Sequence, residues 1–167
     1  MEDSLTLFAS RGGVIQGDVY RALHMPRAQV TLAAVASIAN VAPSAITFDT
    51  PIYNEDSMWA VSAGSLLTAR TPGLYWVSAN FAWAPSAGGT LRWTYLLKNG
   101  VGPHLGDDAR GPAGANIVWC NSADYISLNA GDYVQLVAYQ DTGGALATTV
   151  AVGPSAKISM CFDSTIG

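Results

Sequence analysis

Residues Thr71 to Trp83, reading T-P-G-L-Y-W-V-S-A-N-F-A-W, constrain the fold of this chain more than any other stretch. A Pro-Gly turn opens the stretch, and the apolar run after it has no break residue. Side chains of a strand alternate with period two. Tyr75, Val77, Ala79, Phe81 and Trp83 therefore share one face, and Leu74, Trp76, Ser78, Asn80 and Ala82 share the other. Both faces carry large apolar groups, which predicts a central strand covered on both sides. At ~3.3 Å per residue, ten residues span about 33 Å, long for a strand, and that length sets the height of the domain.

Other segments keep the same period. Strands are expected over 27–35, 45–50, 65–70, 91–98, 116–121, 125–128, 133–140, 146–152 and 156–162. In 45–50, Ile46 and Phe48 fall on one face and Pro51 ends the run. Turn signals separate these strands at Asn99-Gly100, at Asn129-Ala130-Gly131-Asp132 and at Asp141 to Gly144. Residues 102–114 hold four Gly and two Pro and read as a long loop. No segment of helical period reaches a convincing length, and no internal repeat is visible. The pattern predicts an all-β protein, a jelly-roll β sandwich of about ten strands.

The chain has 167 residues, enough for one domain with a sizeable core. Only 12% of them are charged and half are hydrophobic, against roughly 25% charged in typical soluble domains. A surface so poor in charge implies burial against other subunits or a larger particle. The net charge of −4 and the lack of any Lys/Arg block exclude a nucleic-acid partner. No apolar run is long enough for membrane insertion. The acidic start Met1-Glu2-Asp3 lacks the basic region of a secretory leader, so export is not expected. Cys120 and Cys161 are too few for a disulfide framework; they read as two buried thiols or as one bridge between neighbouring strands.

Residues 1–26 differ from the rest of the chain, being Gly-rich and too short for a domain. They read as a loose leader or as an N-terminal arm that docks on a neighbour through Val19, Tyr20, Leu23 and Met25. The β pattern begins at Arg27, so the division is an arm over 1–26 and a domain over 27–167.

The order of residues from Phe48 onward resembles the globular head of complement C1q, within the wider tumour-necrosis-factor-like jelly-roll class. Phe48, Asn54 and Trp59 stand at the family spacing. Pro72-Gly73-Leu74-Tyr75 matches its P-G-L-Y, Leu96 to Gly100 its L-x-K-N-G turn, and Leu128 to Leu136 its L-x-x-G-D-x-V-x-L. Leu67 and Val77 stand where the family usually has Phe. The resemblance covers roughly residues 27–163. The domain is also similar to those on tail and head proteins of bacteriophages. The resemblance implies a homotrimer of jelly rolls around a threefold axis, and a virion structural protein displayed on the virion surface as capsid decoration, head fibre or tail tip. Its expected partners are its own copies, other virion proteins such as capsid or tail subunits, and a host surface glycan.

The sequence contains no G-x-S-x-G elbow, H-E-x-x-H, paired C-x-x-C or phosphate-binding loop, so no enzyme and no cofactor are expected. His104, Asp107 and Asp108 either line a solvated loop or ligate a divalent cation; the resemblance implies calcium as that ion. Asn54, Glu55 and Asp56 form an acidic loop open to the same two readings. The five Trp fit a core or subunit contact, or stacking on sugars. Trp59, beside the acidic loop, is the one expected to be exposed, which makes Trp59, Asn54, Glu55 and Asp56 the candidate ligand-binding set. Three functions remain in contention: a non-enzymatic phage structural protein, an adhesin for a host glycan or protein, and an enzyme acting on polysaccharide.

Overall fold

In the computed structural model, which describes residues 25–151 and 153–165, the long apolar run becomes strand β6 (Gly73–Trp83). Before it come β1 (Arg27–Leu32), β2 (Ser37–Ile38), β3 (Ser44–Ala45), β4 (Thr50–Asn54) and β5 (Leu67–Thr68). After it come β7 (Arg92–Lys98), β8 (Val101–Arg110), β9 (Val118–Leu128), β10 (Tyr133–Gln140), β11 (Leu146–Ala147) and β12 (Ala156–Ser164). Four of these are two-residue pairings, and the other eight are the strands of a jelly roll. They form two antiparallel sheets, ordered β4-β1-β12-β6-β9 and β3-β10-β7-β8, with β5 added to β10 and a small β11-β2 pair beside them.

The predicted inner face of β6 is the core. Tyr75, Val77, Phe81 and Trp83 are fully buried, packed with Val30, Ile158 and Met160 of the same sheet and Leu96, Val134 and Leu136 of the other. The opposite face departs from the expectation of cover on both sides. Trp76 is 40% exposed, and Leu74, Ser78 and Asn80 are only half-buried. Among the described residues, no second layer of the subunit lies over them.

Several strand boundaries shift, each for a physical reason. Residues 45–50 are not one strand. Ile46 donates its amide to Leu136 on one sheet, and Asp49 donates to Thr31 on the other. The segment crosses between sheets while Ile46 and Phe48 stay buried, so the alternation is real although the strand is not. Pro51 does not end a strand but lies within β4, an edge strand, where the missing N–H costs no ladder bond. Segments 116–121 and 125–128 are one strand, β9. Its polar centre suggests a break, but Ser122 is buried, and its hydroxyl meets that of Thr94 at 2.8 Å. Of the strands expected over 65–70 and 146–152, only Leu67–Thr68 and Leu146–Ala147 form. The first strand stops at Leu32.

The largest correction falls on residues 102–114, which begin not as a loop but as the ten-residue strand β8. Its glycines serve bulges. Asn99 (φ 53°) and Gly100 (φ 70°) make the tight turn from β7 that the Asn-Gly signal predicts. The ladder then slips twice, between Lys98 and Leu96 and between Leu96 and Thr94.

Candidate functional site

Two outward-facing surfaces of the sandwich carry unusual side chains, one on each sheet. The first belongs to the sheet β4-β1-β12-β6-β9. Pairing registers lay its residues out in rows. Arg27, Cys161, Trp76 and Tyr125 lie side by side, with the Trp76 and Tyr125 rings 4.8 Å apart. The next row is Gln29, Ser159, Ser78 and Ala123, all short save Gln29, whose amide donates to Ser159 at 2.7 Å. The third row is Thr31, Lys157, Asn80 and Asn121, with the Asn80 amide donating to Asn121 Oδ1. Beyond it Trp119 is 38% exposed and, with Asn80, Pro154 and Lys157, lines a depression of about 210 Å³. Tyr125 is 55% exposed.

The second surface belongs to the other sheet. Trp93 and Tyr95, two apart on β7, share its outward face with Tyr139 on β10, which pairs with Trp93. His104 of β8 stacks on Tyr95 with ring centroids 3.8 Å apart. Trp93 meets His104 at 4.5 Å and Tyr139 at 6.3 Å, both nearly at right angles. The Trp93 indole N–H donates to Asp107 Oδ2 at 3.3 Å.

The residues singled out in the sequence divide differently. Trp59 is not the exposed tryptophan expected. It is 5% exposed, and its indole N–H donates to the Gly64 carbonyl at 3.0 Å. Asn54 spends its amide on the same residue: Nδ2 donates to Trp59 O (2.8 Å) and Oδ1 accepts from Trp59 N (2.9 Å). Glu55 faces Arg27 at 3.4 Å, and Asp56 sits at a φ of 58° in the tight turn. This loop closes on itself and offers a ligand no ring face.

His104, Asp107 and Asp108 do not converge either. Asp108 accepts from the Arg110 guanidinium (2.7 and 3.0 Å) and from the Asn121 backbone N–H (2.7 Å), while His104 and Asp107 turn to the aromatic rings. Among the described residues, no cluster of three His, Cys, Asp or Glu side chains could hold a metal ion.

Both cysteines are free. Cys120 is buried, and that burial pushes its thiol up to about 11. Cys161 is only half-buried, on the outward face beside Trp76. They lie on opposite faces of one sheet with β6 between their strands, so the bridge is excluded. Of the arm residues, Met25 is 51% exposed; Val19, Tyr20 and Leu23 lie outside the described residues.

Neither surface is evident from the sequence read strand by strand. Their signal is present in the aromatics of alternating strands, Trp93 with Tyr95 and Trp76 opposite Tyr125, but only strand pairing brings them together.

No family model and no curated protein sequence matches the chain. Solved structures do. The globular domain of a zebrafish complement 1qA protein superposes with a TM-score of 0.60 at 14% identity, covering 84% of this chain and 99% of that one. Eiger TNF from S. frugiperda gives 0.62 at 14% identity, covering 86% and 96%. Murine APRIL gives 0.62 at 12%, covering 83% and 99%. The fold is a C1q/TNF-like jelly roll.

Proposed function

We propose that the chain is a non-enzymatic structural and binding protein of a bacteriophage particle, displayed on the virion surface as a homotrimer. Residues 1–26 dock it to capsid or tail subunits, and the jelly roll turns outward toward the host. The outward face of the sheet β4-β1-β12-β6-β9 carries this reading. Trp76, Tyr125 and Trp119 are 40%, 55% and 38% exposed there, and a row of short side chains between them lets a second backbone approach closely. Large exposed aromatics cluster at the centres of interfaces. A flat face of paired strands repeated on identical chains closes under cyclic symmetry. The shortage of charge agrees with it. Three copies around an axis is the arrangement that the C1q resemblance implies.

Light scattering at micromolar concentration tests the assembly. Three times the 17.4 kDa of one chain is expected; a stable monomer would overturn it. Deleting residues 1–25 tests the docking. The truncated protein should remain a soluble trimer that no longer joins particles, and incorporation at wild-type copy number would show that the arm is not the anchor. Mass spectrometry of separated heads and tails gives the location, hundreds of copies meaning capsid decoration and a few meaning tail tip.

A further inference from the structure

The second aromatic surface is built by a departure from regular pairing. Along β8, Asp108 pairs with Thr94 but Leu105 pairs with Leu96, so three residues of β8 span what two of β7 span. The extra residue is taken up at Gly106, at a φ of 50°. A Cβ there would run into the backbone of Ala123 on β9, so only glycine fits. Without the bulge, His104 and Asp107 would point to opposite faces. With it, Leu105 turns inward to pack against the core, while Asp107 reaches the Trp93 indole and His104 covers Tyr95. Bulges of this kind re-aim side chains next to functional sites.

The result is three rings, an exposed His104 and half-buried Trp93 and Tyr139, grouped around a Tyr95 that is 3% exposed, with Trp93 and His104 packed on it and Tyr139 against Trp93. Rings at right angles present both faces and edges to a ligand instead of closing into one stack. Each ring has a polar terminus, and Asp107 is exposed, with carboxylate lone pairs left after the indole contact. Ring faces flanked by hydroxyl, imidazole and carboxylate suit a pyranose, whose C–H face packs on the ring while its hydroxyls donate to the carboxylate. Size argues against a protein partner. Side chains of this kind bury roughly 150–250 Å² each when fully covered, so three half-open rings fall short of the ~800 Å² per partner of a stable protein interface. Charge selects among sugars. No Lys or Arg stacks on these rings among the described residues, and Arg110 nearby is held by Asp108.

We infer that Trp93, His104, Asp107 and Tyr139, set by the Gly106 bulge, form a binding site for a neutral saccharide. The inference rests on the host-attachment part of the proposed function and is independent of its assembly part.

The test is titration calorimetry with tryptophan fluorescence on the full chain. The probes are tetramers to hexamers of glucose, mannose, galactose and N-acetylglucosamine, beside sialylated and sulfated oligosaccharides. At least one neutral series should bind, and Trp93→Ala and Asp107→Asn should each weaken it tenfold or more. Asp107→Asn, at an exposed position, keeps the test valid if Trp93→Ala does not fold. Trp76→Ala should leave the affinity per chain unchanged even where light scattering shows dissociated subunits, which separates a failed site from a failed trimer. The inference is overturned if no neutral oligosaccharide binds, if only acidic ones bind, or if both platform variants bind like wild type.

Discussion

The two outward faces of this sandwich use the same material, aromatic side chains on paired strands, for different ends. On the sheet holding β6, pairing with β12 and β9 runs in register from Tyr75 to Phe81. The aromatics therefore fall in a straight row beside a row of short residues, a flat surface suited to another flat surface. On the other sheet, β8 breaks register twice against β7. The aromatics there meet at angles beside an exposed carboxylate, an arrangement suited to a small polar molecule. Regular pairing lays side chains out in flat rows; irregular pairing gathers rings and a carboxylate from three strands. Both rest on one core, so the contrast is tested by changes that strike both faces, then one, then the other.

The largest effect is expected in the shared core. Phe81 is fully buried and meets Trp83 at 4.6 Å. Phe81→Ala should cost about 3–5 kcal/mol, enough to remove a large part of the stability of a domain this size. Urea unfolding should show a much lower midpoint, with self-association and saccharide binding lost together. If either survives at full strength, the two faces do not share their support.

Trp76→Glu should break the flat face alone. A carboxylate amid Tyr125 and Cys161 would have to lose water on association, and losing a central aromatic anchor costs about 2 kcal/mol or more. Light scattering should show monomers at micromolar concentration, with the far-ultraviolet spectrum of the subunit retained. A trimer of undiminished stability would place the subunit contact elsewhere.

Gly106→Ala should do the reverse. Alanine at that φ costs about 1–2 kcal/mol, and its Cβ would push β8 away from Ala123. The chain should still fold and associate, while binding of the neutral oligosaccharide falls. Unchanged binding would mean that the bulge does not aim Asp107 and His104.

Much of the fold was legible because its signals are local. The alternation in β6, the Asn99-Gly100 turn and the Leu128 to Leu136 segment each carry their structure within ten residues, and all three appear as expected. β8 was not legible for the opposite reason. Gly102, Pro103 and Gly106 are loop formers in isolation, and only pairing with β7 and contact with Ala123 hold them as a strand. The aromatic site around Trp93 was hidden with β8, since it is assembled from three strands. Trp59 shows a different failure. Its neighbours Asn54 to Ser57 are polar, which suggests exposure, but the Asn54 amide turns those residues into a clasp that holds Trp59 inside. The register rows around Trp76 required strand order, which no stretch of sequence states.

The smallest effect concerns acid, and it should fall first on the ends of β10. Asp132 lies just before that strand. Hydrogen bonds from the Asn99 side chain, the Asn129 amide and Lys98 hold its carboxyl at about 2. Asp141 lies just after it. The Thr90 hydroxyl and the Leu91 and Thr90 amides hold its carboxyl at about 2 as well. Both values lie below the ordinary 3.8 that each carboxyl regains on unfolding. Their contribution is therefore fully present above about pH 4 and is lost as pH falls toward 2. Asp49, beside the flat face, is pulled the same way; burial opposes the shift, but the Ala33, Thr50 and Ala34 donors outweigh it. The amides of Thr90, Leu91 and Asn129 should thus lose hydrogen-exchange protection between pH 4 and pH 2, while the ladder between β6 and β9, which these carboxylates do not touch, keeps its own. Asp141→Asn should remove the pH dependence at Thr90 and Leu91 and leave it at Asn129. Protection at all three amides that holds steady down to pH 2 would show that these carboxylates do not clamp the strand. Simultaneous loss in the β6–β9 ladder would show instead that acid opens the whole sandwich at once, with no weak end at β10.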